Sequence, residues 1–232
     1  MPLGRDEVLE GALALLNKEG LDALTMRRLA ASLGVQAGAI YWHFADKQAL
    51  IDAMIEVMLA GLLEPTLTGS WEEQIAELTR RMAAAMLRVR DGARLATLAL
   101  RPGPSSLQLS EAMMQIIGQS GRSQRETLWT AAVIGYYVLG YVTDVQATEA
   151  AKARGLMSVV RGFKKSITRA EYPLIHSIGD TLIEQMLGGR DMEARFEFGL
   201  QIVLRGLAGG HAPKGPATRS RPKKRHTPRR RG

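Results

Sequence analysis

Residues 34–46, GVQAGAIYWHFAD, bring together side chains well suited to contacting a nucleic acid. The amide of Gln36 can pair with the edge of an adenine, and the small residues that follow it would allow close approach. Phenol, imidazole and ammonium groups can reach phosphates, while an indole can contact a thymine methyl group or pack on sugars. Thr25 and Arg27 would face the DNA backbone or the groove edge. We therefore expect DNA contacts from Thr25, Arg27, Gln36, Ala37, Gly38, Ala39, Tyr41, Trp42, His43 and Lys47.

The elements that must position these residues follow a helix-turn-helix pattern. Thr25 is the expected N-cap of a helix that Gly34 ends, and a very short helix begins near Ala37. Leu24 and Leu29 have the spacing of a hydrophobic staple. Because so short a helix is not stable alone, the helices before and after it must hold it in place.

The aromatic residues of this segment have two possible roles. Tyr41 and Trp42 either face DNA or pack in the core of the head. Ile40 and Phe44 are four positions apart and point the same way, so they are better core candidates. Arg28 is expected to be a solvated helix charge, which leaves Arg27 as the contact.

The charge distribution does not by itself support DNA binding. The formal net charge is +8, but nine of the 31 Lys and Arg residues lie in residues 211–232, which contain no acidic residue. The remaining 22 face 23 acidic residues. The terminal segment has the charge and proline content of a disordered tail. It either adds sequence-independent affinity for DNA by counterion release or is a solvated appendage.

Composition also limits the possible cofactors and compartments. The chain has no cysteine, which excludes disulfides and thiolate metal sites and fits a reducing cytoplasm. The N-terminus lacks the apolar run of a signal peptide, and no window approaches the roughly 18 uninterrupted apolar residues of a membrane span. We therefore expect a soluble cytoplasmic protein with no membrane contact, no cofactor and no metal.

Hydrophobic periodicity predicts an all-α chain, since no convincing alternating strand pattern occurs. Asp46 is expected to cap the helix that follows the short one. Residues 147–170 are interpreted as a mobile connection with some helix. Beyond the short helix, the pattern predicts helices over residues 5–19, 25–33, 46–63, 71–90, 105–118, 124–145, 173–187 and 191–207.

The segments LTMRRLAASLGV (24–35) and GAIYWHFADKQALIDAM (38–54) resemble the DNA-binding head of the tetracycline-repressor (TetR) family of bacterial one-component regulators. The resemblance covers about residues 5–208. It implies a helix-turn-helix DNA-binding domain at 1–47 and a ligand-binding and dimerisation domain at 48–208, and it leaves a basic tail at 209–232 unmatched. In the body it rests on Ser70-Trp71, Arg90-Asp91-Gly92-Ala93, Arg101-Pro102, Leu139-Gly140-Tyr141-Val142 and Phe198-Gly199-Leu200.

The resemblance further implies a homodimer bound to double-stranded operator DNA, with the helices near 124–145 and 191–207 packed against their copies as a four-helix bundle. A small-molecule effector in each body would move the head-to-body helix, so that the two recognition helices no longer match the groove spacing. The implied function is that of a ligand-responsive transcriptional repressor.

The candidate pocket departs from that of the tetracycline-binding relatives. As the resemblance implies, those proteins bind a drug–magnesium chelate through polar side chains, including a histidine that here falls near Ala96 or Thr97. Magnesium–tetracycline is therefore not the expected effector. Methionines either fill a core or suit an irregular apolar ligand, and a few polar groups would orient it. We expect a lipophilic, aromatic or polyketide-like effector near Leu63, Leu78, Met82, Met86, Arg101, Met113, Met114, Ile117, Tyr136, Tyr137 and Asp144.

Three other functional classes remain open at this level. An enzyme is disfavoured because His176 and Asp180 are the only His–carboxylate pair, and that pair is interpreted as an ordinary surface interaction. A ligand-sequestering protein would not require a helix-turn-helix head. An activator differs from a repressor only in operator placement, which the sequence does not contain.

Overall fold

The computed structural model describes residues 3–163, 166–186, 188 and 191–209. Within these ranges the chain is helical and contains no strand, which confirms the all-α prediction. The predicted disordered tail lies outside the described residues from position 210 onward. The helices are α1 (Arg5–Glu19), α2 (Met26–Ser32), α3 (Ala37–His43), α4 (Lys47–Leu59), α5 (Trp71–Leu87), α6 (Gly92–Thr97), α7 (Pro104–Gly118), α8 (Gln124–Ala153), α9 (Met157–Phe163), α10 (Pro173–Ser177), α11 (Gly179–Met186) and α12 (Met192–Gly209).

The head consists of α1, α2 and α3 packed around one hydrophobic core. The apolar residues of α1 recur every three or four positions, so one face of the helix is apolar. Leu24 and Leu29, the staple pair, are both fully buried in the same core. The buried residues of α1 are Val8, Leu9, Ala12, Leu15 and Leu16.

Helix α4 belongs to both hydrophobic cores of the chain. Asp46 caps it, since its side chain accepts a hydrogen bond from the amide of Ala49 across 2.7 Å. Residues 50–55 supply apolar side chains to the head core, whereas Met58 packs in the core of the body. The two cores therefore divide between Ile55 and Met58, whereas the predicted domain boundary falls after Lys47, the first residue of this helix.

The body is built on α5, α7 and α8, with α12 packed against α5 and α8. Ser70 caps α5 in a capping box with Glu73, whose carboxylate accepts a hydrogen bond from the amide of Ser70 across 2.8 Å. Helix α8 buries one face, formed by Thr127, Thr130, Ile134, Val138 and Val142. The opposite face of α8 remains exposed.

Several helix boundaries differ from the predicted ones, and the three largest differences concern α4, α8 and the helix predicted from Pro173. Helix α4 ends at Leu59 instead of Leu63, because the chain turns over residues 60–63. Helix α8 continues to Ala153, since the Ala-rich end of this segment keeps its helix propensity after the apolar pattern is lost. The helix predicted from Pro173 is divided into α10 and α11 at Ile178.

Within the part of the chain that the structure describes, one helix has the length and composition to cross a membrane. This is α8, with a mean hydropathy of 1.2 over its most apolar window. A single such helix is weak evidence for a span, because core helices of globular proteins meet the same criterion. Its buried face packs against α5, α6 and α7.

Candidate nucleic-acid interface and ligand-binding body

Helix α3 has one buried and one exposed face. Ile40 is fully buried, and Phe44, immediately after the helix, is 2% exposed. Tyr41 and Trp42 are 52% and 87% exposed. The prediction that Ile40 and Phe44 form the core is confirmed, and the alternative that Tyr41 and Trp42 are core aromatics is wrong. The indole of Trp42 therefore extends into solvent from a helix that the head holds by its other side.

The turn before α3 fixes the direction in which this helix points. The hydroxyl of Thr25 accepts a hydrogen bond from the amide of Arg28 across 3.2 Å and caps α2, as predicted. Gly34 has a φ angle of +69°, a left-handed backbone that glycine adopts without steric cost. Gln36 is exposed, and its side chain does not cap α3. The amide thus lies at the start of α3, where a groove-reading side chain is expected.

The cationic residues around α3 differ in whether they have an ion-pair partner within the head. Arg27 and Lys47 are exposed. Arg28 forms an ion pair with Glu19 of α1, so this guanidinium contributes to the head itself. Among the remaining candidates, Thr25 and Gly38 are exposed, while Ala37 and Ala39 are half-buried.

His43 has an intramolecular partner that the sequence pattern does not reveal. Its Nε2 lies 2.8 Å from the carbonyl oxygen of Leu3 and donates a hydrogen bond to it. Beside this contact, the guanidinium of Arg5 lies 4.8 Å from the ring centre of Phe44, a cation–π arrangement. Leu3 and Arg5 are therefore attached to the end of α3, which places Arg5 among the cationic groups there. Because these partners are about 40 residues apart, no local motif could have indicated them.

Most of the predicted pocket residues lie together in the body core. Five of those on α5 and α7 are at most 8% exposed and form part of one apolar cluster. Leu63 packs against this cluster and is half-buried. Met114 is also half-buried. The cluster members among the predicted residues are Leu78, Met82, Met86, Met113 and Ile117.

The polar residues predicted for the pocket have other partners. The hydroxyl of Tyr137 donates a hydrogen bond to the carbonyl of Phe196 across 2.5 Å, and burial raises the pKa of this phenol. Asp144 forms an ion pair with Arg195. Tyr137 and Asp144 thus connect α8 to α12, while Tyr136 is 72% exposed on α8. Among the described residues, no group of three His, Asp or Glu side chains could hold a metal ion.

Arg101 lies in the loop between α6 and α7, outside the apolar cluster. Its Nε donates to Oδ2 of Asp52 on α4 across 3.2 Å. Oδ1 of Asp52 accepts from the amide of Leu100 at 3.0 Å and from the side chain of Gln48 at 2.9 Å. Burial opposes ionisation of Asp52, but these hydrogen bonds outweigh it and lower the pKa of the carboxyl group.

A second polar contact joins head and body at the corner between α5 and α6. The amide of Leu21 donates to Oδ2 of Asp91 across 2.8 Å. The amide of Arg90 donates to Oδ1 of Asn17, also at 2.8 Å. Arg94 binds Asp22 at 2.8 Å, and its hydrogen bond and charge lower the pKa of that carboxyl. Helix α6 is therefore attached to the head at its start, and the loop that follows it is attached to α4.

Two surface features of the body lie away from the predicted pocket. A groove of about 330 Å³ lies between α5 and α12, lined by residues that include Glu72, Arg80 and Arg205. An apolar strip runs along α8 and α12, where large apolar side chains remain between 47% and 72% exposed. The apolar strip consists of Leu128, Trp129, Val133 and Tyr136 on α8 and Phe198 and Ile202 on α12.

Comparison with known proteins identifies the class to which this arrangement belongs. Residues 8–54 match the family model "Bacterial regulatory proteins, tetR family", and residues 64–209 match "Tetracyclin repressor-like, C-terminal domain". The chain belongs to the TetR family of transcriptional regulators, with a helix-turn-helix DNA-binding domain and a ligand-binding C-terminal domain. This confirms the resemblance described from the sequence.

Individual relatives agree with the family match over nearly the whole chain. The tetracycline repressor protein class A from transposon 1721 of Escherichia coli is 32% identical over 204 residues, or 87% of this chain and 88% of that protein. A possible TetR family transcriptional regulator from Streptomyces coelicolor A3(2) has a TM-score of 0.75 at 32% identity, covering 88% and 98% of the two chains. The S. coelicolor TetR family protein ActR in complex with actinorhodin has a TM-score of 0.74 at 26% identity, covering 91% and 98%.

Proposed function

We propose that this protein is a cytoplasmic transcriptional repressor that binds operator DNA as a homodimer and is released by a lipophilic small molecule. The observation that carries the proposal is the exposure of Trp42 on a helix whose opposite side is fully buried. An indole that is 87% exposed contributes little to the fold, whereas an aromatic surface on a helix that enters the major groove can contact thymine methyl groups and sugars.

The DNA-contacting residues proposed from the sequence lie on α3, next to its two ends and at the start of α2. Gln36 would read a base edge, and Ala37, Gly38 and Ala39 would permit close approach. Tyr41 and Lys47 would reach phosphates, together with Thr25 and Arg27 on α2. His43 would support this surface by holding the N-terminal segment through its hydrogen bond to Leu3, and its other ring nitrogen would face phosphate.

The apolar strip on α8 and α12 supports the proposed homodimer. Aromatic side chains such as Trp129 and Phe198 are 53% and 70% exposed in the single chain. Several large apolar side chains exposed on two packed helices are characteristic of an interface. A four-helix bundle formed by α8 and α12 with their copies would bury the strip. It would also set the two α3 helices at the distance of about 34–36 Å that separates successive major grooves.

The effector is proposed to bind among α5, α7 and α8, next to the methionine-rich cluster. Met82, Met86 and Met113 are flexible side chains that can rearrange around an irregular apolar molecule. Asp144 is paired with Arg195, so a magnesium chelate would have to break this ion pair to use the carboxylate. We therefore propose a lipophilic effector and not magnesium–tetracycline.

The experiment that tests the function begins with footprinting of the protein on genomic DNA to find its operator. Gel shifts on that operator should give a discrete complex for the wild type, and Trp42→Ala should abolish it at the same protein concentration. Actinorhodin, the ligand of a structural neighbour, is the first effector probe, and magnesium–tetracycline is the comparison. Sequence-independent binding would reject a specific regulator, and tight calorimetric binding of magnesium–tetracycline would overturn the proposed effector class.

A further inference from the structure

Glu56 of α4 occupies the point where the helix that leaves the head meets the start of α7. Its Oε2 accepts a hydrogen bond from the amide of Ser105 across 2.6 Å. Its Oε1 accepts from the amides of Gly103 and Ser106 at 3.1 and 3.2 Å, and from the hydroxyl of Ser106. One carboxylate thus binds most of the amides that the first turn of a 15-residue helix leaves without intrahelical partners.

Electrostatics favour the charged form of this carboxylate. Burial of Glu56 alone would raise its pKa, but the hydrogen bonds from Ser106, Ser105 and Gly103 outweigh burial and lower it. The positive end of the α7 dipole acts in the same direction. Gly103, the N-cap residue of α7, has no side chain that could take over this role. The cap of α7 therefore comes from a different helix.

Close packing at Gly103 is a second, independent sign of this contact. A Cβ atom on residue 103 would lie 2.6 Å from Cδ and 2.7 Å from Oε2 of Glu56. Real Cβ atoms do not approach other atoms so closely, so any larger residue at 103 would displace the carboxylate. Glycine at 103 and glutamate at 56 are thus matched to each other.

Glu56 joins α4, which packs in the core of the DNA-binding head, to α7, which packs in the apolar cluster of the body. Immediately before Glu56, α4 contributes Met54 and Ile55 to the head core. Farther along its length, α7 contributes Met113 and Ile117 to the apolar cluster proposed to receive the effector. A displacement of α7 by a ligand would therefore act on α4 through the carboxylate of Glu56.

We propose that Glu56 is the positioning residue that couples the body to the head, by making α4 and the start of α7 move as one unit. This inference rests on the proposed function for its regulatory meaning. The Asp52–Arg101 contact holds the same loop one turn earlier, but Glu56 is the α4 side chain that hydrogen-bonds to the first turn of α7. Its removal would leave each helix folded and weaken the transmission between them.

Hydrogen exchange of the full-length protein measures this coupling without DNA or effector. Glu56→Gln keeps the size of the side chain and removes the charge. We expect its exchange rate at Ser105 and Ser106 to rise by about tenfold or more, the effect of losing charge-assisted hydrogen bonds, and exchange across residues 50–59 of α4 to rise with it. Glu111→Gln is the matched control, because Glu111 lies on α7, is exposed and accepts a hydrogen bond from Gln115 of the same helix.

The result that would overturn the proposal is faster exchange confined to residues 103–106 with α4 unchanged, since this is the behaviour of a local cap. Gly103→Ala provides a second approach, because it displaces the carboxylate without removing it. If the two residues act through one contact, the double variant should exchange no faster than the more affected single variant. Additive effects would show that they act independently and would also reject the coupling.

The exchange experiment is separate from the test of the proposed function. A wild-type protein without specific DNA binding would reject the regulator and leave the measured coupling of α4 and α7 intact. Conversely, a protein that binds its operator but shows unlinked exchange in α4 and α7 would keep the regulator and reject Glu56 as its coupling residue.

Discussion

The guanidinium of Arg101 donates from Nε to Oδ2 of Asp52 across 3.2 Å, although the two residues are 49 positions apart. The carboxylate of Asp52 is largely buried, while the Arg101 side chain is 67% exposed. Together with the amide of Leu100, this contact attaches the loop after α6 to α4. Arg101 therefore performs a structural role between head and body, in addition to the ligand role proposed for it.

Asp52→Asn should weaken this attachment. Its buried carboxylate accepts several hydrogen bonds, and losing hydrogen bonds to a charged group costs about 1.5–3 kcal/mol. The free energy of unfolding, measured by urea titration, should fall by that amount. Asp144→Asn is the comparison, because the ion pair of Asp144 is exposed and worth about 0–1 kcal/mol. Equal losses in the two variants would contradict the assigned role of Asp52.

Substitutions at Trp42 and Ile40 should affect DNA binding and folding separately. Trp42→Ala should abolish specific operator binding and leave the unfolding midpoint unchanged, since the indole is 87% exposed. Ile40→Ala should lower stability by about 2–5 kcal/mol, because it leaves a cavity in the head core. Gel shifts and thermal unfolding of both variants check the distinction. Loss of stability in Trp42→Ala would show that the indole serves the fold.

The stability contributed by Glu56 should be lost at acidic pH. Because the pKa of this carboxyl is lowered in the folded state, its contribution is present above the ordinary pKa of 4.5 and is lost as the pH falls through the lower folded value. The wild type should therefore be more stable than Glu56→Gln at neutral pH, and the difference should disappear as the pH falls through the lowered pKa of the folded state. Urea titrations at several pH values measure this, and a constant difference would argue against an ionised cap.

The apolar strip should hold the dimer together. Phe198→Glu places a charge on α12 within the strip and should convert the protein to monomers in sedimentation velocity, because an unpaired charge is costly at an apolar interface. Leu107→Glu is the control, since Leu107 is also exposed but lies on α7 outside the strip. A dimer that withstands Phe198→Glu would place the interface elsewhere.

Deletion of residues 211–232 tests the basic tail. If its nine basic residues bind phosphates, the slope of log affinity against log salt should become shallower, by about 0.9 for each phosphate that the tail no longer neutralises. Operator titrations at several salt concentrations give this slope for both proteins. An unchanged slope would assign the tail a role in solubility only.

Local signals in the sequence were sufficient to predict the helices and turns of the head. Thr25 and Asp46 cap the helices they were expected to cap, and Gly34 has the expected left-handed backbone. Helical spacing alone indicated that Ile40 and Phe44 are better candidates for the core than Tyr41 and Trp42. Capping, glycine turns and periodicity depend on residues a few positions apart, so the sequence contains them directly.

The contacts between distant segments depend on the tertiary structure. Nothing near Glu56 in the sequence indicates that it caps α7, about 47 to 50 residues later, and nothing near His43 indicates Leu3. Asp144 and Tyr137, predicted as pocket residues, pair with residues of α12, and no local pattern indicated these partners. The helices and the exposed face of α3 could be predicted from the sequence, because they follow from local backbone preferences and helical periodicity. The partners of each polar group depend on which helices pack together, and that is a property of the whole chain.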